Sequence, residues 1–366
     1  EVFTIVGTVT NPTGIRIEAG VVNSSITKNN IHNLYYTSTG GYGGKGIDVA
    51  TSANANVTIS NNFVSKMRGD GWSTFTSDAI VGIRILSPST GINIYNNSVL
   101  LDDLVSRSSS SDVSAALYLH SAASSMNVKN NILINKISNI TGTAKAYAIA
   151  SDAPATAFIN IDNNDYYASG PQGVLGRNSA AADMLTLADW RAFTGKDLLS
   201  VSVEPEFADT TDLHLPELPE NECLNQAGMV IPGVTVDYDG DTRSLTNPDI
   251  GADEFDGEDL TIAVTETSGT PNDKFICSGS SGTLTVSGGS SHKWNTGETT
   301  AAITKAPFVT TIYYDTVTVV PGCRVVMYDT LKVLLAPSAA ITPAMSTICE
   351  GASQTLTASG GTTYLW

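Results

Sequence analysis

Charge is what this chain has least of. Charged residues fill 15% of its 366 positions, and only 19 are Lys or Arg; ordinary soluble domains carry about 25%. With a formal charge of −17 at pH 7 and no basic cluster, a phosphate-tracking surface for nucleic acid is excluded. The same deficit disfavours docking on an anionic membrane. No apolar run reaches the ~18–20 residues that would span a bilayer. The four cysteines contain no CxxC, which argues against a zinc framework. The histidines, His32, His120, His214 and His292, are scattered without HExxH, and GxSxG is missing. One GxGxxG occurs at Gly41–Gly46, but the strand-like GIDVA follows it where a dinucleotide site needs a helix. The chain opens on EVFTIVGTV, with no initiating Met or signal peptide, and stops at Trp366 inside a repeat. A segment of a longer polypeptide is therefore expected.

What is present is repetition. Five Asn-Asn pairs begin at Asn29, Asn61, Asn96, Asn130 and Asn163, in steps of 32, 35, 34 and 33 residues. Each sits in similar text: SSITKNNIHNL, VTISNNFVSKM, INIYNNSVLLD, MNVKNNILINK, INIDNNDYYAS. A fixed period with alternating strands predicts stacked coils over residues 1–170. Asn tolerates the left-handed backbone that a sharp corner requires, and amides stacked in register can bond along a ladder. Upstream of the pairs lie Ile47-Asp48-Val49, Ile83-Arg84-Ile85, Leu117-Tyr118-Leu119 and Tyr147-Ala148-Ile149, whose outer members should point into the tube. Period variation falls in returns such as GGYGGKG, RGDGWSTFTSD and SRSSSSD. The Arg68-Gly69-Asp70 there matches the tripeptide that integrins read, although Gly-Asp-Gly is also ordinary turn chemistry.

The middle members Asp48, Arg84 and Tyr118 form an expected outward column, side chains ~5 Å apart. With Trp72 and Phe75 in the neighbouring loop, they are the candidate contact residues for a glycan or surface. Such a column could instead hold the machinery of a polysaccharide lyase or hydrolase, but it offers a single carboxylate, and glycoside hydrolysis needs paired acids. A surface ion pair beside an exposed aromatic is the plainer reading. No catalytic residue is assigned, and the chain is expected not to be an enzyme.

Residues 171–256 break the pattern. SAAADMLTLADWRAFTG predicts one short amphipathic helix from near Asp183 to Gly195. The run through LADWRAFTGKD, EPEF, DLHL, CLNQAG, DYDGDTR and DIGADEF resembles the closing segment of secreted Bacteroidota surface proteins of the choice-of-anchor Q type. That resemblance spans roughly residues 20–256 and implies a right-handed parallel β-helix with capped last coils. Asp237, Asp239 and Asp241 alternate like the start of a calcium loop, but Thr242 and Pro248 stand where that loop needs Gly and Glu. A structural Ca2+ there is one expectation; a tight turn with Arg243 neutralising the acids is the other. No other cofactor is expected.

Beyond residue 257 a second repeat begins. ICSGSSGTLTVSGGSSHKW at 276–294 aligns without gaps on ICEGASQTLTASGGTTYLW at 348–366, with eleven of nineteen positions identical. Tandem β-sandwich units of about 72 residues are expected, one over 257–337 and the start of another over 338–366. They resemble the immunoglobulin-like repeats of giant surface proteins exported by the type IX route. In that frame Cys277 pairs with Cys323, closing a loop worth about 4 kcal/mol. Cys349 awaits a partner past Trp366, and Cys223 is left as a buried thiol. The resulting expectation is an extracellular bacterial surface adhesin or appendage. Its partner would be a glycan or protein on another cell, and a homo-oligomeric, self-assembling fibre is the further alternative.

Overall fold

The structure is a computed structural model that describes residues 2–51, 54–71, 74–86, 89–105, 113–139, 144–257, 260–335 and 338–365. It is almost entirely β. The chain divides into two compact units: Glu1–Glu258 with Val320–Cys323, and Asp259–Val319 with Arg324–Trp366.

The first unit is a parallel β-helix. Most of its described strands stack into three long ladders, each made of the same part of successive repeats, and Leu104–Val105 pairs with Ser138–Asn139 in a short fourth. One ladder joins Asn30–Tyr36, Phe63–Ser65, Ser98–Leu101, Ile132–Asn135 and Asp165–Ala168. A second joins Ser25–Thr27, Val57–Ser60, Ile92–Tyr95, Met126–Lys129 and Phe158–Asp162. A third joins Thr13–Ile17, Lys45–Val49, Ile80–Ile85, Val113–Leu119, Lys145–Ser151 and Gly173–Arg177. Alternation then decides which side chains fill the tube. Ile47, Ile83, Leu117 and Ile149 stack inside, as do Val57, Ile59, Ile92, Ile94 and Val128, all essentially inaccessible. Five such layers bury apolar area roughly as a nearest-neighbour sum.

The corners are where the period is written. Asn61, Asn96, Asn130 and Asn163 have φ of 53°, 49°, 55° and 54°, the left-handed region that Asn enters at low cost. In the first coil the same place is held by Lys28, with φ 58°. The first pair is thus offset by one residue: Lys28-Asn29, not Asn29-Asn30, is the structural equivalent. A second corner column precedes the middle strands, at Asn23, Asn56, Gly91 and Ser125, with φ of 50°, 47°, 73° and 53°.

The helix is shorter than expected, spanning Leu187–Thr194. Thr186 and Asp189 form a reciprocal capping box that sets its start, and Gly195 ends it with φ 64°. Asp183 and Met184 instead pair antiparallel with Arg177 and Gly176. Trp190 is fully buried beside Tyr166, and both donate to Asp197, at 2.7 and 2.8 Å. The helix thereby packs on the tube's apolar core. The rest of the closing segment behaves differently from an end cap: residues 211–251 run along the side of the tube, bonded to its outer asparagines.

The second unit holds two three-stranded sheets, Thr261–Glu266, Gly282–Ser287 and Ala302–Lys305 in one, Phe275–Cys277, Arg324–Leu334 and Thr311–Thr318 in the other. Pairing is antiparallel except between Phe275–Cys277 and Arg324–Leu334. Leu284, Ile276, Val317, Leu331 and Trp294 are buried in it.

This register overturns the expected disulfide. Cys277 lies opposite Leu334, whereas Cys323 precedes Arg324 at the other end of that 11-residue strand. At about 3.3 Å per residue the eleven residues from Cys323 to Leu334 span about 36 Å, far beyond bridging distance. Cys323 bonds instead to Cys223, 100 residues away, so Cys223 is not a free thiol. Cys277 and Cys349 are the exposed free cysteines.

Candidate functional site

The paired asparagines divide into two columns with opposite tasks. The inner column is Asn29, Asn62, Asn97, Asn131 and Asn164. Each side-chain Nδ2 donates to the next Oδ1 at 2.9 Å. That same oxygen also accepts the preceding Asn's backbone N–H, at 3.0–3.2 Å. From Asn62 onward, Nδ2 additionally reaches back to a carbonyl of the previous coil, Ile26, Ile59, Ile94 or Val128. Ser200 Oγ closes the last step by accepting Asn164 N–H at 2.7 Å. Five amides in a chain, nearly all fully buried, therefore have their donors and acceptors satisfied, as burial demands.

The outer column faces the closing segment. Asn30 donates to Thr211 O, Asn61 to Val236 O, Asn130 to Met229 O and Asn163 to Ala227 O, at 2.7–3.2 Å. Arg243 locks this seam: its Nη2 donates to Asn61 Oδ1 at 3.0 Å and to Gly251 O at 2.9 Å, while Nη1 pairs with Glu254. The DYDGDTR turn is organised by Asp237, whose buried carboxylate accepts from Gly240, Asp241 and Glu254 N–H. Burial pushes the Asp249 carboxyl up to about 7, against the N–H groups of Gln226 and Phe255 that it accepts.

The calcium-like trio does not converge. Asp237 is engaged by backbone, Asp241 is exposed, and Asp239 points to His214. Arg243 forms its ion pair with Glu254, not with these three acids.

The glycan-contact column is in register but covered. Arg16, Asp48, Arg84 and Tyr118 lie opposite one another on successive strands. Asp48 and Tyr118 are 0% exposed and Arg84 3%, so this column is not an exposed contact surface. The reason is the return at 74–79. Phe75, itself buried, stacks on Tyr118 with ring centres 4.8 Å apart, and the Phe75 and Ser77 carbonyls accept from Arg84 Nη1. Trp72 lies outside the described residues. Val81, Ala115, Tyr147, Ala150 and Val174 make a second apolar core beneath this cover. In the fourth coil the column passes through Ala150, not Ala148, because Tyr118 pairs with Ala150.

Charge under the cover is paired. Arg84 grips Asp48 in a bidentate fork at 2.7 and 2.8 Å, and Arg16 adds a third contact at 3.1 Å. Lys45, on the same strand as Asp48, is fully inaccessible. Burial, then repulsion from Arg84, lowers its pKa to about 7, against opposing pull from Asp48 and Asp78. Tyr118 donates to Asp152 at 2.9 Å, and its pKa is raised by burial and by that carboxylate.

An open groove lies among the returns. A groove of about 400 Å³ is lined by Tyr36, Thr37, Thr39, Arg68, Asp103 and Leu104. Arg68 caps the Tyr35 ring at 4.7 Å and pairs with Asp103. Asp70 is buried with both oxygens on Gly41 N–H, at 2.9 and 3.0 Å. The Arg-Gly-Asp sequence therefore does not present its acid, as an integrin ligand must.

Among the described residues, no helix is long and apolar enough to cross a membrane. No family model matches the chain, and no curated protein or solved structure matches it either.

Proposed function

We propose that this chain is part of an exported bacterial surface adhesin or appendage. The β-helix displays its return loops to a glycan or protein on another cell, and the sandwich repeats belong to an immunoglobulin-like stalk. One observation carries the reading: the side chains that a β-helix polysaccharide enzyme would turn toward substrate are engaged here with one another. Arg84 is fully committed to Asp48 and to the loop carbonyls that cover it. That arrangement makes a stiff platform, and the open polar relief is built from the variable returns around Arg68. Recognition of sugars or peptides by such loops on a rigid scaffold is a common division of labour.

The test is retention of the immobilised segment on a panel of surface polysaccharides and on intact cells, with a polyuronide turnover assay in parallel. Saturable retention, weakened at least tenfold by Arg68→Ala and unaccompanied by product, is the expected result. Formation of unsaturated or reducing ends by the unmodified chain would replace this reading with the polysaccharide-degrading one.

A further inference from the structure

A cluster in the closing segment belongs neither to the covered column nor to the groove. His214 Nε2 lies 2.7 Å from an Asp239 oxygen. With one oxygen of Asp253, these donor atoms all lie within 4.8 Å of one another. The other ring nitrogen, Nδ1, is held by Asp212. A carboxylate on Nδ1 orients the ring as it does in metal-binding histidines; Nε2 here has the Asp239 carboxylate as its hydrogen-bond partner, and an ion would take the place of the proton between them. The ring is wedged edge-on between Phe63 and Tyr238, with centres 4.9 and 5.6 Å away.

Asp253 supplies the second line of argument. It is 6% exposed. Its Oδ2 takes the Leu215 N–H at 2.8 Å, which holds the carboxylate in place beside the imidazole. Three carboxylates thus converge on a single imidazole, an excess of negative charge that a divalent ion would balance.

We propose that His214, Asp239 and Asp253 bind a divalent first-row transition metal of the zinc class, with Asp212 as the positioning residue. One imidazole and two carboxylates suit Zn2+, Co2+ or Ni2+, whereas Ca2+ takes six to eight oxygens. Ligand atoms about 2.0–2.2 Å from a tetrahedral ion lie about 3.4 Å apart, so the exposed Asp239 would draw back from its 2.7 Å contact with Nε2 on binding. The ligands come from three separate stretches of the closing segment. The ion would therefore staple that segment where it lies along the outer asparagine column. Only Asp239 is shared with the calcium-like trio.

The experiment uses the chain with Cys277→Ser and Cys349→Ser, stripped by chelator and titrated calorimetrically with ZnCl2 and separately with CaCl2. One zinc per chain with micromolar or tighter Kd is expected, and calcium at least 100-fold weaker. His214→Ala and Asp239→Asn should each weaken zinc binding tenfold or more, and His120→Ala should leave it unchanged. Because Asp239 is exposed, its variant keeps the fold even if His214→Ala does not. Cobalt substitution should give a visible absorption band that Asp239→Asn abolishes. Absence of zinc binding, binding indifferent to both substitutions, or calcium competing at equal concentration would each overturn the proposal.

Discussion

Asn62 donates twice to a single atom of Asn97: its backbone N–H reaches Oδ1 at 3.2 Å and its side-chain Nδ2 reaches the same oxygen at 2.9 Å. One coil is thereby pinned to the next through an amide that sees no water. Removing that amide leaves buried N–H and C=O groups without partners, at roughly 1–3 kcal/mol each. Asn97→Ala should therefore cost about 3–5 kcal/mol. Asn96→Gly, which keeps the left-handed corner and loses only long contacts to Asp249, Gly251 and Asn130, should cost about 1 kcal/mol or less. Urea unfolding of the two variants measures the difference; equal costs would deny the inner column its role.

The Asp48–Arg84 fork braces the covered face of the tube. Breaking a buried pair from one side strands a charge and costs about 3–5 kcal/mol, whereas replacing both partners with apolar residues is often close to neutral. Arg84→Met alone should lower stability by about that amount, and Asp48→Leu with Arg84→Met should recover part of it. Retention of both variants on the chain's ligand should be unchanged once they are folded. Loss of ligand binding in a folded double variant would return the column to the functional surface.

Lys45 gives the fold a pH dependence. Its pKa falls from 10.5 to about 7 on folding, so between those values the unfolded chain binds a proton that the folded chain refuses. The contribution of Lys45 to stability is thus most favourable above pH 10.5, falls as pH drops toward 7, and levels off below. Within this window Lys45→Met should flatten the rise in stability with pH and stabilise the protein at neutral pH. Thermal melts at neutral, mildly alkaline and strongly alkaline pH measure it; an unchanged slope in the variant would place the titration elsewhere.

The disulfide is checked by chemistry. Non-reduced peptide mapping should recover Cys223 joined to Cys323, and Cys277 and Cys349 should react with a thiol reagent in the native protein. Closing a loop of 100 residues is worth about 4.7 kcal/mol on the chain-entropy model, so reduction should lower stability markedly. A Cys277–Cys323 peptide would contradict the strand register.

The sequence shows the tube because the inner asparagines are irreplaceable at their step, and Ile47, Ile83 and Leu117 fall inside by alternation alone. The one-residue slip in the first coil is hidden because Asn30 happens to follow Asn29, making a pair of the wrong members. The second corner column, Asn23, Asn56, Gly91 and Ser125, keeps no single letter along its length, since Gly and Asn solve the same backbone problem and Ser adopts it too. The glycan-contact column failed for another reason. Alternation says which side chains leave the tube, not whether a loop lies over them. The 74–79 return that buries Arg84 belongs to the least regular text in the chain. His214 and Asp253 are 39 residues apart in sequence and meet only because the closing segment folds back on itself along the tube.

The stacking of coils in one register is the claim on which the rest depends. Ser25, Thr58, Asn93, Asn127 and Asn160 form one column by direct strand pairing, and both its ends are exposed. In a background with Cys277→Ser and Cys349→Ser, spin labels at Ser25→Cys and Asn160→Cys should lie about 19 Å apart by pulsed electron resonance, four strand spacings of ~4.8 Å. The intermediate pair Ser25→Cys and Asn127→Cys should read about one spacing less. A distance far from ~19 Å, or no shortening in the intermediate pair, would contradict the β-helix.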